Sequence, residues 1–488
     1  MNKVTEIDAT PVTVADGKNR EGSSGTDQAR PLFAWGLGLS SMLMVYYAAT
    51  ARVLDPLHLF LGLIIMGLAL TPALVWARRG AQGMPAFEIL LVMTANAFAL
   101  PLLSGHTQVR TFDIGTVTNA ATALIGYQVS ALVTFYLTAG RPGRSPFFLE
   151  EVLNKDLARF VSGGLILSTA YTFSSSFYPS LIPYEINSVV RAIAMGIGMV
   201  TVFAESRRWG RGEMAPGEIV FFTALIAIQV LSSFATLFLV SGISLLALAL
   251  IGYVSGARRL PLLTTALLFG FAALLHNGKS TMRAKYWEGD QRWVSRELKE
   301  VPSFMTEWIE AGLNPSREDE EKAMAKKLLE RSSLFHILCL VVDNSPDPLP
   351  FLGGETYTYI PGQFVPRFFW PGKPHAHIAT DVLCIYYGLQ NEETVRSATI
   401  GFGMICEAYA NFGMLGVISL GIVLGFLFRR AQLATQESPL LSYAGIFMII
   451  LTAWAFQTEA NLALWITSMF QALVTVLGLP FLIRNIAQ

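Results

Sequence analysis

Residues 217–256 read GEIVFFTALIAIQVLSSFATLFLVSGISLLALALIGYVSG, a hydrophobic stretch about twice as long as one helix needs to cross a lipid bilayer. We divide this stretch at Ser241-Gly242, because a tight hairpin favours small residues at its turn. The sequence predicts an all-α polytopic membrane protein with about twelve transmembrane helices. The apolar blocks lie near 31–50, 57–76, 86–104, 118–139, 158–176, 184–204, 217–237, 240–256, 260–276, 400–428, 439–457 and 462–483.

The composition of the chain fits this class. Its 488 residues are 53% hydrophobic and 14% charged, whereas about a quarter of the residues of a soluble globular protein are charged. A soluble enzyme is therefore disfavoured. The 35 Lys and Arg residues balance 35 Asp and Glu residues, so the net charge gives no reason to expect a nucleic-acid partner. Any site for an anionic ligand must be built locally.

The basic residues between the blocks predict the orientation of the chain in the membrane. Cytoplasmic connections retain Lys and Arg during insertion, and alternate connections of this chain are richer in them. The alternation requires the division at Ser241-Gly242, and it places both termini in the cytoplasm. The richer connections hold Lys3, Lys18, Arg20 and Arg30, then Arg78-Arg79, then Arg141, Arg144, Lys155 and Arg159, then Arg207, Arg208 and Arg211, then Arg258-Arg259, then Arg429-Arg430 and Arg484, whereas the other short connections hold only Arg52, Arg110 and Arg191.

One long connection, residues 277–399, falls on the extracytoplasmic side by this count. It separates a nine-helix region at 31–276 from a three-helix region at 400–488. Residues 1–30 contain no apolar run, and we expect them to form a disordered cytoplasmic tail.

The long connection divides into two parts. Asn314-Pro315-Ser316 is a helix-start signal, and the charge-rich segment 317–331 then leads into apolar residues. This pattern predicts an amphipathic helix that settles against the membrane or the bundle. After Asp343 the chain is rich in Pro, Gly and aromatic residues, which predicts a folded, irregular loop. Binding and catalytic groups are often mounted on such loops.

Two cations stand among aromatic rings and prolines in segment 365–377 of this loop. The planar fork of Arg367 matches phosphate oxygens, Lys373 supplies a point charge, and Trp370 offers a ring face to a sugar or a lipid chain. The segment is therefore a candidate diphosphate and substrate site. The alternative is that these residues only anchor the chain at the membrane interface.

Two histidines follow in the same segment. His375 and His377 form an H-x-H pair, and Asp381 lies four residues beyond His377. A metal site needs at least three converging ligands, so we expect no metal here. An imidazole titrates near neutral pH and is suited to act as a general base. A surface histidine without function is the alternative.

A carboxylate, Glu407, lies about two turns into the predicted tenth span. An ionisable residue at this depth faces the bundle interior or a wet cavity by default, and Asn411 shares its helical face. Glu407 is therefore a second candidate base, with a structural carboxylate as the equal alternative. Glu459, near the outer end of the last loop, is a weaker candidate.

The remaining candidate cations lie at the predicted outer ends of other helices. Several of them converging on one cavity would build a diphosphate site without a metal ion, whereas each one alone is an ordinary interface residue. They are Arg52, Arg110, Arg191 and Arg283.

The cysteines show no zinc-binding or redox spacing. Cys339 and Cys384 both fall in the extracytoplasmic connection, where a disulfide between them is an open alternative. Cys406 lies in the following span.

Two successive stretches of the chain, separated by residues 375–400, resemble the signature region of the bacterial oligosaccharide repeat-unit polymerases, the Wzy-type O-antigen and exopolysaccharide polymerases. They are VVDNSPDPLPFLGGETYTYIPGQFVPRFFWPGKP at 341–374 and GFGMICEAYANFGMLGV at 401–417. The most specific patterns are Pro-Arg-x-x-Trp-Pro-x-Lys-Pro at 366–374 and Glu-x-Tyr-x-Asn-Phe-Gly at 407–413. Many members carry an Arg in the turn placed here at 241–243, and this chain does not.

The resemblance implies a multi-pass enzyme of the bacterial cytoplasmic membrane, without a cofactor. It would join oligosaccharide repeat units carried on a polyprenyl diphosphate at the extracytoplasmic face, with a chain-length regulator as a further partner. The resemblance makes Arg367 and Lys373 the diphosphate-binding candidates, and His375 or Glu407 the base. Trp370, Arg283, Tyr409 and Asn411 complete the predicted substrate-binding set.

Two other functions fit part of the sequence. A glycan ligase of related architecture would transfer a finished chain to a different acceptor. A secondary transporter or lipid-linked glycan flippase also fits twelve helices. Such folds usually consist of two similar halves with short outer loops, whereas one outer loop of over a hundred residues argues for a one-sided active site.

Overall fold

The computed structural model of the chain describes residues 21–81, 83–140, 157–182, 184–237, 239–287, 297–313, 333–365, 369–370, 372–396, 400–436, 438–439 and 442–478. The protein is all-helical, with 79% helix and no strand in these residues. The predicted amphipathic helix over 317–331 lies outside them, as do residues 1–20 and Arg367.

Seventeen α-helices are described in these ranges. They are α1 (Glu21–Thr50), α2 (Pro56–Arg78), α3 (Ala86–Thr94), α4 (Leu100–Leu103), α5 (Ile114–Leu137), α6 (Leu157–Phe177), α7 (Tyr184–Gly210), α8 (Pro216–Ala235), α9 (Leu239–Ala257), α10 (Leu262–Trp287), α11 (Val301–Leu313), α12 (Leu334–Asn344), α13 (Ile360–Phe364), α14 (Ile378–Tyr386), α15 (Met404–Thr435), α16 (Tyr443–Trp454) and α17 (Leu462–Leu473). A π-helical turn at Ala95–Ala99 joins α3 to α4.

Six of the described helices are long and apolar enough to cross a membrane, so the chain is a multi-pass membrane protein. They are the segments Pro31–Thr50, Pro56–Arg78, Ala86–Leu103, Ile114–Leu137, Pro216–Ala235 and Met404–Thr435. Each of the twelve predicted blocks overlaps a helix, but the number of helices that span the membrane stays a prediction.

Helix α1 begins at Glu21, ten residues before the predicted start of the first span. Residues 21–30 of the predicted disordered tail are therefore helical. Because extending a helix costs far less than nucleating one, an apolar span can carry its helix into a polar flank.

The predicted division at Ser241-Gly242 is wrong by several residues. Helix α8 ends at Ala235, and α9 already begins at Leu239. The turn between them uses Leu237 in a left-handed conformation, with a φ of 59°. Gly242 instead lies within α9, where an added Cβ would come within about 3 Å of several atoms of the Phe234 ring. Its small size serves helix packing rather than the turn.

Helix α15 changes direction at Gly413, whose φ of 61° and ψ of −145° are not helical. The extended segment before Gly354 fills this break. The Leu352 amide donates to the Ala410 carbonyl at 3.0 Å, and the Gly353 amide donates to the Asn411 carbonyl at 3.1 Å. The irregular loop after Asp343 is thus tied to the N-terminal part of α15.

The three cysteines are buried and unpaired, so the Cys339–Cys384 disulfide does not form. The Cys384 thiol lies 3.7 Å from the Ile400 carbonyl, and the Cys406 thiol lies 3.5 Å from the Leu334 carbonyl. These two thiols therefore lie against backbone carbonyls and are not bonded to another cysteine.

Candidate functional site

The amide of Asn411 joins α15 to the irregular loop. Its Oδ1 accepts from the Gly354 amide at 3.0 Å, and its Nδ2 donates to Thr356 Oγ1 and to the Glu407 carbonyl, both at 2.8 Å. The side chain is completely buried. Asn411, which the motif assigned to substrate, therefore has both ends of its amide occupied within the protein.

The carboxylate of Glu407 meets the beginning of α17. Oε2 accepts from the Leu462 amide at 2.7 Å, and Leu462 is the first residue of α17. The first amides of a helix have no partner within the helix, and a negative charge is favourable beside them. Glu407 Oε1 is buried without a hydrogen-bond partner in the described part of the chain. The sequence predicted that Glu407 faces the interior of the bundle, and its complete burial agrees with that prediction.

Asn461 continues the connection to the loop that follows Asp343. Its Oδ1 caps α17 by accepting from the Leu464 amide at 2.8 Å, and its Nδ2 donates to Thr380 Oγ1 at 3.0 Å. Thr380 lies in the first turn of α14. The carboxylate of Glu407 and the amide of Asn461 therefore fix α15, α17 and α14 relative to one another.

The two predicted histidines stand at the beginning of α14. His375 Nε2 lies 2.9 Å from Asp381 Oδ2, with the imidazole 55% exposed and the carboxylate 10% exposed. Burial raises the pKa of Asp381, and the nearby His375 and His377 oppose that shift. The arrangement gives an accessible imidazole that is held by a largely buried carboxylate.

His377 lies at the N-cap position of α14 and is less accessible. Burial lowers its pKa, Asp381 opposes this, and His375 and Arg191 add to it. Its Nδ1 is buried without a hydrogen-bond partner among the described residues. Arg191, one of the four predicted outer cations, is therefore close enough to the histidine pair to act on it electrostatically.

Lys373 is engaged by its own loop. Its ammonium donates to the Val365 carbonyl at 2.7 Å and to the Gln363 carbonyl at 3.1 Å. Gln363 in turn donates to the carbonyls of Pro374 and His375, at 3.3 and 3.4 Å. Lys373, predicted to hold a diphosphate, thus shapes the segment that carries His375.

Trp370 is 45% exposed and rests on Gly362, where an added Cβ would lie 3.1 Å from its Cζ3. The ring therefore presents one side outward beside the histidine segment. Tyr409 packs edge-on against Phe351, with ring centroids 6.1 Å apart.

A second group of cations lies on α10. Lys279 and Arg283 both interact electrostatically with Glu459, and Arg283 Nη2 donates to the Leu237 carbonyl at 3.2 Å. The Glu459 carbonyl accepts from the Gly403 amide at 3.0 Å, and Asn461 follows two residues later. The segment 459–461 thus connects these cations to α14 and its histidines.

Lys279 is the residue that the sequence reasoning missed. The sequence could have indicated it, because Lys279 lies four residues before Arg283 and this spacing puts both cations on one face of a helix. Arg52 and Arg110 lie elsewhere, lining a small cavity with His58. The structure therefore separates the four predicted outer cations instead of gathering all of them. Within the described residues, no group of three or more His, Cys, Asp or Glu side chains could hold a metal ion.

A comparison with protein families places residues 339–487 in a known family model. The model described as O-antigen polysaccharide polymerase Wzy matches residues 339–487, about a third of the chain, which include both histidines, Glu407 and Glu459. No curated protein and no solved structure matches the chain. Together with the apolar helices, the match indicates a membrane protein of polysaccharide biosynthesis. The resemblance to the Wzy-type O-antigen polymerase family that the motifs indicated is therefore confirmed, and residues 339–487 carry it.

Proposed function

We propose that the protein joins polyprenyl-diphosphate-linked oligosaccharide repeat units at the extracytoplasmic face of the bacterial cytoplasmic membrane, in O-antigen or exopolysaccharide biosynthesis. Wzy-family proteins act on lipid-linked repeat units in membranes. The observation that carries the proposal is the paired His375 and Asp381, which lies within the region that matches the family.

His375 is the general base of this proposal. Its imidazole is accessible, and Asp381 holds the ring at 2.9 Å. A buried carboxylate orients an imidazole and stabilises the imidazolium that forms when it takes a proton. Glu407 is the weaker base, since it is completely buried and one of its oxygens already caps α17.

The chemistry requires one bond to form and one to break. The acceptor hydroxyl oxygen of one lipid-linked unit bonds to the anomeric carbon of the donor chain, and the bond from that carbon to the diphosphate breaks. The hydroxyl proton passes to His375, and the polyprenyl diphosphate leaves with the electron pair. The reaction is a glycosyl transfer that draws its driving force from the donor bond and needs no redox partner.

Cations must stabilise the departing diphosphate. Arg191, Lys279 and Arg283 are the candidates, because they flank the segments that position His375 and His377. Lys373 acts on the loop backbone in this account. Arg367 stays a candidate from its motif, and Arg367→Lys should damage activity nearly as much as Arg367→Ala if its bidentate fork matters.

The test compares polymer length on a gel, in cells that make the variants at matched protein level. His375→Ala should leave single repeat units, and Asp381→Asn should shorten the polymer strongly. Glu407→Gln keeps an oxygen that can accept from the Leu462 amide, so it should still give long polymer. The reverse pattern, with His375→Ala active and Glu407→Gln inactive, would assign the base to the carboxylate.

The same cells separate the alternative functions. Loss of a ligase would leave long polymer on the lipid carrier without its final acceptor, and loss of a flippase would leave single units inside the cell. Accumulation of single lipid-linked units outside the cytoplasm is the outcome that the polymerase proposal requires. A chain-length regulator, if it is a partner, should narrow the length distribution without being needed for linkage formation.

A further inference from the structure

Three arginines are brought together at the opposite end of the bundle, which the charge pattern assigns to the cytoplasm. Helices α7 and α9 cross there at small residues. A Cβ added at Gly252 would lie 2.7 Å from the Phe203 carbonyl, and one at Gly256 would overlap the Arg207 carbonyl. Because the two backbones touch, Arg207 and Arg211 at the end of α7 approach Arg258 at the end of α9.

The three guanidinium groups have few partners for their charge. Arg207 is close enough to Arg211 and Arg258 to be repelled by both. Its Nε is buried and has no hydrogen-bond partner in the described ranges. Among the described residues, Glu213 pairs with the cluster, with its carboxylate 3.6 Å from Arg211. The neighbouring Glu205 is instead engaged by Arg208 at 2.8 Å.

The cluster is anchored to the end of α2. The Arg258 guanidinium donates to the carbonyls of Gly80 and Ala81, and Arg258 itself has a φ of 56°. A left-handed conformation is unfavourable for a residue with a Cβ. The left-handed residue ends α9, where its amide donates to the Val254 carbonyl at 2.8 Å. The fold thus holds three cations together against charge repulsion, which a bound anion would offset.

Two partly exposed leucines lie beside these charges. Leu250 and Leu260 pack against a small buried cluster formed by Leu32, Ala77, Ala81 and Val254. The site therefore places cations beside partly exposed hydrocarbon side chains.

We propose that Arg207, Arg211 and Arg258 bind the phosphate of an anionic phospholipid from the cytoplasmic leaflet, with an acyl chain against the partly exposed Leu250 and Leu260. Guanidinium forks match phosphate oxygens, and the phosphate supplies an acceptor for Arg207 Nε while it offsets the repulsion. Basic pockets between transmembrane helices on this side of a membrane recognise anionic head groups. The site is separate from the outer reaction and independent of the proposed function.

The test uses the full-length protein purified in a non-ionic detergent, with native mass spectrometry to identify retained lipid. Phosphatidylglycerol should be retained in preference to phosphatidylcholine. In Arg207→Gln/Arg211→Gln, the apparent affinity for phosphatidylglycerol should fall at least about tenfold. Arg259→Gln removes one charge from the same end of the bundle, at an exposed residue next to Arg258, and should retain the lipid.

Arg207→Lys keeps the charge without the fork, so it should bind more weakly than the wild type and more tightly than the double variant. This variant also keeps the test valid if the double variant does not elute as a monodisperse protein. Equal retention of phosphatidylglycerol by the wild type, Arg207→Lys and the double variant would overturn the proposal. Equal binding of inorganic phosphate and phosphatidylglycerol would overturn the assignment to a lipid.

Discussion

Lys279 is a candidate diphosphate-binding residue that the folded structure identifies. It is half-buried on α10 and shares Glu459 with Arg283. Lys279→Gln should lower turnover at least about tenfold and raise the KM for the lipid-linked donor, because a diphosphate contact is lost. The measurement is initial rate against donor concentration with reconstituted protein.

Arg52→Gln is the matched control for this change. Arg52 is another of the predicted outer cations and lines a small cavity with His58 and Arg110, away from the histidine pair, so the rate should stay near that of the wild type. Lys279→Arg should recover much of the lost activity, since it restores the charge. If Lys279→Gln has the kinetics of the wild type, Lys279 does not contribute to the active site.

His377 gives a prediction for stability against pH. Burial lowers its pKa in the folded protein, whereas an unfolded histidine titrates near pH ~6.5. The unfolded state therefore binds more protons just below neutral pH, and stability is lost as the pH falls through this range. Asp381, whose pKa is raised, has the opposite sign and acts at lower pH.

The Tm should accordingly fall from pH 7.5 to about pH 5.5, and His377→Gln should reduce that fall, because an amide does not titrate. At pH 8, where His377 is neutral in both the folded and the unfolded state, the two Tm values should differ only by the effect of the substitution itself. A Tm that falls equally in both proteins would show that protonation of His377 is not coupled to folding.

At the scale of elements, the break in α15 at Gly413 joins the irregular loop to the membrane helix. The φ of 61° with a ψ of −145° is available almost only to glycine, and an added Cβ would lie 2.7 Å from Phe351 Cζ. Gly413→Ala should therefore destabilise the protein by about 2 kcal/mol or more and detach the loop from Asn411.

A thermal-unfolding series and polymer length in cells check this prediction. Gly270→Ala is the control, because Gly270 lies in α10 and an added Cβ there meets nothing within 4 Å. That change should be neutral or slightly stabilising. An equal Tm for Gly413→Ala and the wild type would mean that the break is not required.

The elements also explain what the sequence could predict. Every apolar block overlaps a helix, because hydrophobicity over about 20 residues is a local property. The contacts of Glu407 with Leu462 and of Asn411 with Gly354 join residues more than fifty positions apart. Hydropathy does not encode such pairings, so the motif could identify both side chains but not their partners. The motif likewise assigned Lys373 to a ligand, because the sequence does not show that its ammonium donates to the carbonyls of Gln363 and Val365.

For the whole molecule, the charge pattern predicts that residues 277–399 lie outside and that both termini lie in the cytoplasm. A phosphatase that is active only in the periplasm, fused after Gly312, should therefore be active. A cytoplasmic reporter fused after Gly80, which follows the second block, should be active as well. Cytoplasmic activity at Gly312 would place the histidines on the wrong side of the membrane for the proposed reaction.

The most direct test of the polymerase proposal counts its two products together. Purified full-length protein in proteoliposomes receives a purified polyprenyl-diphosphate-linked repeat unit, and the linkages formed and the free polyprenyl diphosphate released are measured at each time point. We predict a ladder of products with one polyprenyl diphosphate released for each new linkage. His375→Ala should form no linkages and release no polyprenyl diphosphate. Movement of the intact lipid-linked unit across the bilayer, without any released carrier, would contradict the proposal.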